Sequence, residues 1–284
     1  MLRQRLIFGT LMVLMFLAAM LLDGWLDGSI SRSETPYPLQ AVILWIVVSA
    51  LIILGSIEFS KLAERVGAKT FLPITIPASL IIAAVPYLAR LSPAVSLWSI
   101  YFLPAALAAV LFTQAVTYGT KGTILNCGSA CFSMIYLGLF TRFVVDIRLD
   151  FGLRALFMFV FCVKVADIGA YTAGRLFGKH KFAPRISPGK TWQGMGGALI
   201  AAALLGSIFA ASSGIMNWLV GTVFGVLAAF VGQLADLAES MLKRDAQQKD
   251  SSDKVPGFGG VLDVVDSLLI TAPVAYCFFK IVMG

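Results

Sequence analysis

Charged residues are scarce in this chain of 284 residues: Asp, Glu, Lys and Arg make up 13%, against 59% hydrophobic residues. Soluble globular domains carry roughly a quarter charged residues, so the composition excludes an ordinary soluble protein. The short segments of alternating polarity that are typical of membrane β-barrels are also missing. The sequence therefore predicts an all-α, polytopic helical membrane protein.

Histidine and cysteine, two residues that commonly bind zinc, are few. The chain has one histidine, His180, and four cysteines, which lie inside apolar runs without the paired spacing of a zinc site or a disulfide framework. Basic residues are not interleaved with aromatic ones, as a surface for stacking nucleic-acid bases would need. We therefore expect no nucleic-acid partner and attribute the net charge of +7 to membrane topology.

Nine apolar segments approach or exceed the roughly 18–20 residues that a helix needs to cross a bilayer. The predicted spans lie at about residues 5–22, 40–57, 71–89, 94–117, 122–140, 152–170, 194–212, 216–235 and 264–282. Fifteen of the 22 Lys and Arg residues fall on one side of this arrangement, six on the other, and Lys164 lies within a span. Because basic residues near span ends are retained in the cytoplasm, the sequence predicts a cytoplasmic N-terminus and a C-terminus on the opposite side.

The chain divides into two predicted regions. Residues 1–150 are expected to form a scaffold of transmembrane helices, and residues 151–284 a catalytic region with polar cytoplasmic loops at 171–193 and 236–263. Loops of this size within a compact fold are usually functional or disordered. Lys164 and Asp167 lie at membrane depth, where charges are costly, and form either a structural ion pair or the lining of a cavity that opens to the cytoplasm.

The second loop carries residue types suited to phosphate chemistry. Asp236 and Asp263 offer the hard oxygen ligands that Mg²⁺ prefers, and nearby lysines and an arginine would neutralise phosphate oxygens. A helix that continues through Asp236, Ser240 and Lys243 would present all three on one face. This set suits phosphoryl or nucleotidyl transfer, which depends mostly on positioning and charge stabilisation; a solvated, charge-balanced loop is the alternative.

Two ordered motifs occupy the C-terminal third. The first comprises Asp167, Ala170, Tyr171, Gly174, Arg175, Phe177, Gly178, Lys179, Ser187, Pro188, Lys190, Thr191, Trp192 and Gly194. The second comprises Ser240, Lys243, Arg244, Lys249, Asp250, Pro256, Gly257, Gly259, Gly260, Asp263 and Asp266. Together they resemble the signatures of the CDP-diacylglycerol synthases, also called phosphatidate cytidylyltransferases. Three positions depart from that family: Phe258 replaces its usual histidine, Val264 its arginine and Gln193 its glutamate.

The resemblance implies transfer of the cytidylyl group from CTP to phosphatidic acid, giving CDP-diacylglycerol and pyrophosphate for phospholipid synthesis. The implied cofactor is Mg²⁺, as one or two ions held by Asp236 and Asp263. The predicted catalytic residues are Asp167, Asp236, Lys243, Arg244 and Asp263. The predicted substrate-binding residues are Arg175, Ser187, Lys190, Thr191, Ser240, Lys249, Asp250, Gly259, Gly260 and Asp266. The expected location is a bacterial inner membrane with the active site facing the cytoplasm, and a homodimer is one arrangement that the sequence leaves open.

Two other functions fit parts of the sequence. A CTP-dependent kinase of a polyprenol-type lipid would share the membrane setting and the nucleotide, but its alcohol nucleophile would need a base, for which only carboxylates are present. A transporter of an anionic solute could use the same basic loops. Transporters commonly show inverted repeats with broken helices in both halves, whereas the charged chemistry here lies in the C-terminal half.

Overall fold

The computed structural model describes residues 2–30, 40–92, 94–95, 99–252 and 259–284, and within these residues the fold is helical. The helices are α1 (Leu2–Leu26), α2 (Val42–Arg65), α3 (Leu72–Leu91), a 3₁₀ turn (Ser99–Tyr101), α4 (Phe102–Tyr118), α5 (Thr123–Ser133), a π-helical segment (Met134–Leu139), α6 (Phe140–Phe177), α7 (Trp192–Ser213), α8 (Trp218–Asp245) and α9 (Val261–Met283). The all-α prediction is confirmed.

Among the described residues, seven helices are long and apolar enough to cross a membrane, rather than the predicted nine or so. They coincide with the predicted spans except those at 122–140 and 152–170. Helical structure occupies both of these places, but α5 has only 11 residues before the π-helical segment, and α6 carries several charges and is interrupted at Gly152, whose φ is +83°. The two counts differ because charged residues or irregular backbone interrupt the apolar runs of these two segments.

The chain forms two compact units, and the first comprises Met1–Leu149 with Asp245–Val264. Asn126 at the start of α5 accepts a hydrogen bond from the backbone N–H of Lys69. Arg148 in α6 lies against Asp23 at the end of α1. The chain from Thr123 to Leu149 therefore connects the two ends of this unit, and at about 1.5 Å per residue it is long enough to cross a bilayer.

A buried charge cluster closes one end of the first unit. Arg148 pairs with Asp23 at 3.1 Å and with Asp27 at 2.5 Å, and all three side chains are at most 3% exposed. Burial alone would raise the pKa of Asp27, but hydrogen bonds from Ser29 and the charge of Arg148 outweigh it, so this pKa lies below its ordinary value. The cluster fixes the chain after α1 to the helix that carries Arg148.

The second unit comprises Asp150–Arg244 and Val265–Gly284, and its helices pack through small residues. A buried cluster of Ala166, Ala198, Ala202 and Ala229 joins α6, α7 and α8. A β-carbon at Gly225 would collide with the carbonyl group of Ala202. Close approach of backbones is the usual way for membrane helices to associate, because apolar side chains gain little by leaving lipid.

The two polar loops are shorter than the sequence predicted. Helix α6 continues to Phe177, and α8 continues to Asp245, so residues 171–177 and 236–245, which were predicted as loop, are helical. Thr191 begins α7 as its N-cap, with its hydroxyl accepting a hydrogen bond from the backbone N–H of Gly194 at 3.1 Å. The continued helices hold several predicted site residues on rigid backbone.

Candidate active site

A polar network lies inside the second unit at the level of Lys164 and Asp167. Lys164 Nζ lies 3.5 Å from Asp167 Oδ2 and donates to Ser267 Oγ at 3.1 Å. Gln233 Nε2 on α8 donates to Asp167 Oδ1 at 3.2 Å. The predicted pair therefore exists, but it is part of a network that joins α6, α8 and α9.

Lys190 brings the loop before α7 into the same network. Its Nζ lies 2.8 Å from Asp236 Oδ2 and donates to the backbone carbonyl of Gln233 at 2.7 Å. The Lys190 side chain is 11% exposed and that of Asp236 is 38% exposed. The loop cation is thus held against α8, with Asp236 still open to a ligand.

Three carboxylates in this unit are close enough to share a metal ion. Asp236, Glu239 and Asp266 offer oxygen atoms that lie within 4.8 Å of one another. Glu239 and Asp266 are 2% and 5% exposed, and Glu239 also pairs with Lys243. Asp236 and Glu239 share a face of α8 because they lie three residues apart, and Asp266 comes from α9.

The charge balance of the network favours a cation. Its acids are Asp167, Asp236, Glu239 and Asp266, and its lysines are Lys164, Lys190 and Lys243. Among the described residues of the network, four carboxylates against three ammonium groups leave a formal deficit of one positive charge. Buried charges are costly unless paired or coordinated to a metal, so a divalent ion on the carboxylates would stabilise the group and give a positive surface for phosphates.

Other predicted residues of this unit have different contacts. Arg175 is exposed and donates to the Tyr171 hydroxyl at 3.2 Å. Arg244 is exposed and donates to the carbonyl of Ile186 at 3.3 Å. Thr191 caps α7, and Ser187 and Ser240 are partly exposed. Their proposed roles in substrate binding or catalysis stay predictions.

The remaining predicted residues belong to the first unit. Lys249 and Asp250 are exposed. Gly259 has a φ of +98°, a backbone conformation that residues other than glycine rarely adopt. Asp263 Oδ2 accepts hydrogen bonds from the backbone N–H of Ser251 at 2.8 Å and of Gly260 at 2.7 Å. Asp263 thus caps the first turn of α9, and its role as a metal ligand stays a prediction.

The three departures from the family pattern differ in how they can be explained. Gln193 Oε1 accepts hydrogen bonds from the backbone N–H groups of Lys179 and His180, each at 3.2 Å, so a neutral amide suffices to hold this turn. Val264 is partly exposed in the first turn of α9. Phe258 lies outside the described residues.

Sequence reasoning assigned no role to Glu239 or Gln233. Glu239 could have been found from its spacing, since it follows Asp236 by three residues on a predicted helix. Gln233 offered no such signal, because a single amide near the end of an apolar span has many structural uses. Only the packing of α8 against α6 shows that Gln233 orients Asp167.

Comparison with known proteins gives matches to a single family and to enzymes that share one name. The model of the cytidylyltransferase family matches residues 3–282. The phosphatidate cytidylyltransferase of Bacillus subtilis is 31% identical over 258 residues, which cover 84% of this chain and 94% of the relative. The enzyme of the same name from Pseudomonas aeruginosa is 33% identical, covering 83% and 87%. That from Haemophilus influenzae is 37% identical over 204 residues, covering 67% and 68%.

Proposed function

Because the chain belongs to the cytidylyltransferase family, we propose that it transfers the cytidylyl group of CTP to phosphatidic acid. A phosphate oxygen of phosphatidate forms a bond to the α-phosphorus of CTP, and the bond between the α- and β-phosphates breaks. The products are CDP-diacylglycerol and pyrophosphate. The relatives named phosphatidate cytidylyltransferase support this reaction.

The proposed reaction does not require a base to remove a proton from the nucleophile. The phosphatidate phosphate is already anionic at neutral pH, so the nucleophile needs no base. The site must instead bring two anions together and stabilise the charge that develops on pyrophosphate, which is a matter of positioning and electrostatics. Lys190 and Lys243 lie beside the carboxylate group and would supply positive charge to the phosphates.

The carboxylate group of the second unit fits Mg²⁺. Asp236, Glu239 and Asp266 provide three hard oxygen ligands from two helices, and Mg²⁺ commonly keeps water or substrate phosphate in its remaining positions. When bound, the ion would supply charge stabilisation to phosphate oxygens. Gln233 and Lys164 hold Asp167 beside this group, so Asp167 is proposed to orient the network. Asp263 as a further ligand, and a second ion, belong to the same proposal.

The membrane setting fits the two substrates. Seven described helices are apolar enough to cross a bilayer, so the acyl chains of phosphatidate can stay in lipid while the head group reaches the polar network. The distribution of basic residues supports a cytoplasmic face for this network, where CTP is dissolved. We propose the bacterial inner membrane as the location, and a homodimer stays a prediction.

The observation that carries the proposal is the group of three carboxylates with Lys190 and Lys243 inside a chain of this family. The test is to incubate purified protein in detergent with Mg²⁺, CTP labelled at the α-phosphate and, in separate reactions, either phosphatidate or a polyprenol alcohol. Label in a lipid product together with released pyrophosphate is the expected result. Release of CDP with a phosphorylated alcohol would instead show a lipid kinase, and no reaction with either acceptor would favour transport.

A further inference from the structure

Glu58 is a buried carboxylate in the last third of helix α2, and it has 0% exposure. Two groups donate hydrogen bonds to it, and the Ser251 hydroxyl, which has a single proton, lies between Glu58 and Asp263. Ser252 Oγ lies 2.8 Å from Oε1, and Ser251 Oγ and the backbone N–H of Leu262 lie 3.2 and 3.1 Å from Oε2. A buried charge is costly unless it is hydrogen-bonded, so these contacts explain how the helix tolerates Glu58.

The donors to Glu58 come from a distant part of the sequence. Ser251 and Ser252 follow α8 by several residues, whereas Leu262 lies in the first turn of α9. The first N–H groups of a helix have no partner within it, and Glu58 accepts one of them while adding negative charge where the helix dipole favours it. One side chain of α2 thus contacts two described stretches, Ser251–Ser252 and Gly259–Asp263, which are together called the segment below.

Asp263 completes the arrangement from the other side. Its Oδ2 accepts from the hydroxyl of Ser251 at 2.7 Å as well as from the backbone N–H groups of Ser251 and Gly260. Ser251 therefore lies between the carboxylates of Glu58 and Asp263. A displacement of Ser251 would be transmitted to Asp263 and to Gly260.

Gly260 shows how closely Glu58 approaches this segment. A β-carbon added at Gly260 would collide with Ser251 Oγ and with Glu58 Oε2. The absence of a side chain at this position is therefore required by the two groups that hold the segment. The glycine and the buried glutamate form one packing arrangement, although 202 positions separate them in the printed sequence.

We propose that Glu58 is a positioning residue for cytidylyl transfer. It holds Ser251, Ser252 and Leu262 so that the adjacent Gly259, Gly260 and Asp263 keep the geometry that binds the nucleotide. Glu58 acts through this segment and does not touch the reacting atoms. The inference rests on the proposed function, because Gly259, Gly260 and Asp263 are binding residues only if the chain uses CTP.

The test compares two substitutions of Glu58. Glu58→Ala removes both acceptor oxygens and is expected to raise the KM for CTP by about 10- to 100-fold, the loss typical of residues that orient a ligand-binding shell. Glu58→Gln is expected to restore the KM to within about 3-fold, because the amide oxygen still accepts from Leu262 and the amide NH₂ donates to the Ser252 hydroxyl, which can also accept. The KM for phosphatidate is expected to stay unchanged in both.

The matched control is Glu64→Ala, on the same helix. Glu64 pairs with Lys69 at 3.7 Å, and its side chain is 52% exposed, so its loss should leave the KM for CTP unchanged. If Glu58→Ala does not fold, Ser252→Ala replaces it, since it removes one hydroxyl only; an increase of about 3-fold in the KM for CTP is then expected. Hydrogen exchange at the Leu262 amide should accelerate in Glu58→Ala and stay slow in Glu58→Gln.

The outcomes separate the two proposals. Wild-type protein that makes no CDP-diacylglycerol would contradict the proposed function, whereas the exchange rates would still test the Glu58 contacts. An active wild type with an unchanged KM for CTP in Glu58→Ala, or in Ser252→Ala in its place, would overturn the positioning role. An equal loss in Glu58→Gln and Glu58→Ala would also overturn it, because the carboxylate charge itself would then be needed.

Discussion

Replacing Arg148 with methionine should strongly destabilise the first unit. The guanidinium group lies between Asp23 and Asp27, at 3.1 and 2.5 Å, and also donates to the Ser29 hydroxyl at 3.1 Å. Methionine fills a similar volume but removes the charge. Two carboxylates that are each at most 3% exposed would then face one another without a cation.

The magnitude follows from the burial of this cluster. Removing one partner of a buried ion pair costs about 3–5 kcal/mol, because the remaining charge stays desolvated. A loss of 1 kcal/mol lowers Tm by about 2–4 °C in domains of roughly 150–250 residues. We therefore expect Arg148→Met to lower the Tm by about 10 °C.

The assay is thermal unfolding of the purified protein in detergent, with Arg142→Met as the control. Arg142 lies on the same helix, but its side chain is 32% exposed and its Nε lies 3.4 Å from Asp146 Oδ2. This pair is partly exposed, so its loss should cost clearly less than loss of the buried cluster. Equal decreases in Tm for Arg148→Met and Arg142→Met would refute the reasoning. Additional replacement of Asp23 and Asp27 by asparagine should recover much of the loss, and no recovery would also contradict it.

Two further predictions concern the second unit. Lys190→Met should lower kcat/KM for CTP by about 10- to 100-fold in the labelled-CTP assay, because a cation that orients Asp236 is lost, whereas Lys181→Met, at an exposed position, should change it less than about 2-fold. Equal effects would argue against a role for Lys190. Gly225→Ala should lower the unfolding free energy by about 1–3 kcal/mol through collision with the carbonyl group of Ala202. Gly196→Ala, where a β-carbon meets nothing within 4 Å, should not lower it, and similar Tm losses in the two would contradict the packing argument.

The membrane helices were largely predictable because hydropathy is a local property. Seven predicted spans coincide with apolar helices of the described chain. The predicted spans at 122–140 and 152–170 do not coincide with such helices, because Arg142, Lys164 and Asp167 interrupt or follow their apolar runs. Helical continuation past Gln233 was also predictable, since Asp236 and Lys243 suit one face of an emerging helix.

The group of three carboxylates was harder to predict because it depends on how helices face each other. Asp263 and Asp266 share a face at the start of α9, and the sequence favoured Asp263 as the ligand. Asp263 caps α9 and its role as a metal ligand stays a prediction, whereas Asp266 lies in the group with Asp236 and Glu239. A spacing of three residues could not show that Asp266 lies close to Asp236 and Glu239.

Contacts between distant segments gave no signal in a single sequence. Glu58 and Ser251 lie 193 positions apart, and Arg148 and Asp23 lie 125 apart. Each of these four residues is a single polar residue within or beside an apolar run. Hydropathy indicates that such a residue needs a partner, but the partner becomes known only when the helices are packed.

The central claim is that Asp236, Glu239 and Asp266 hold the divalent ion used in cytidylyl transfer. It is tested most directly by titrating purified protein with Mn²⁺, a paramagnetic substitute for Mg²⁺, and measuring free Mn²⁺ by electron paramagnetic resonance. We predict saturable binding by the wild type, affinity at least about 10-fold weaker in Glu239→Gln and in Asp266→Asn, and unchanged affinity in Asp150→Asn, whose carboxylate contacts the Tyr276 hydroxyl. Equal affinity in all four proteins would contradict the account.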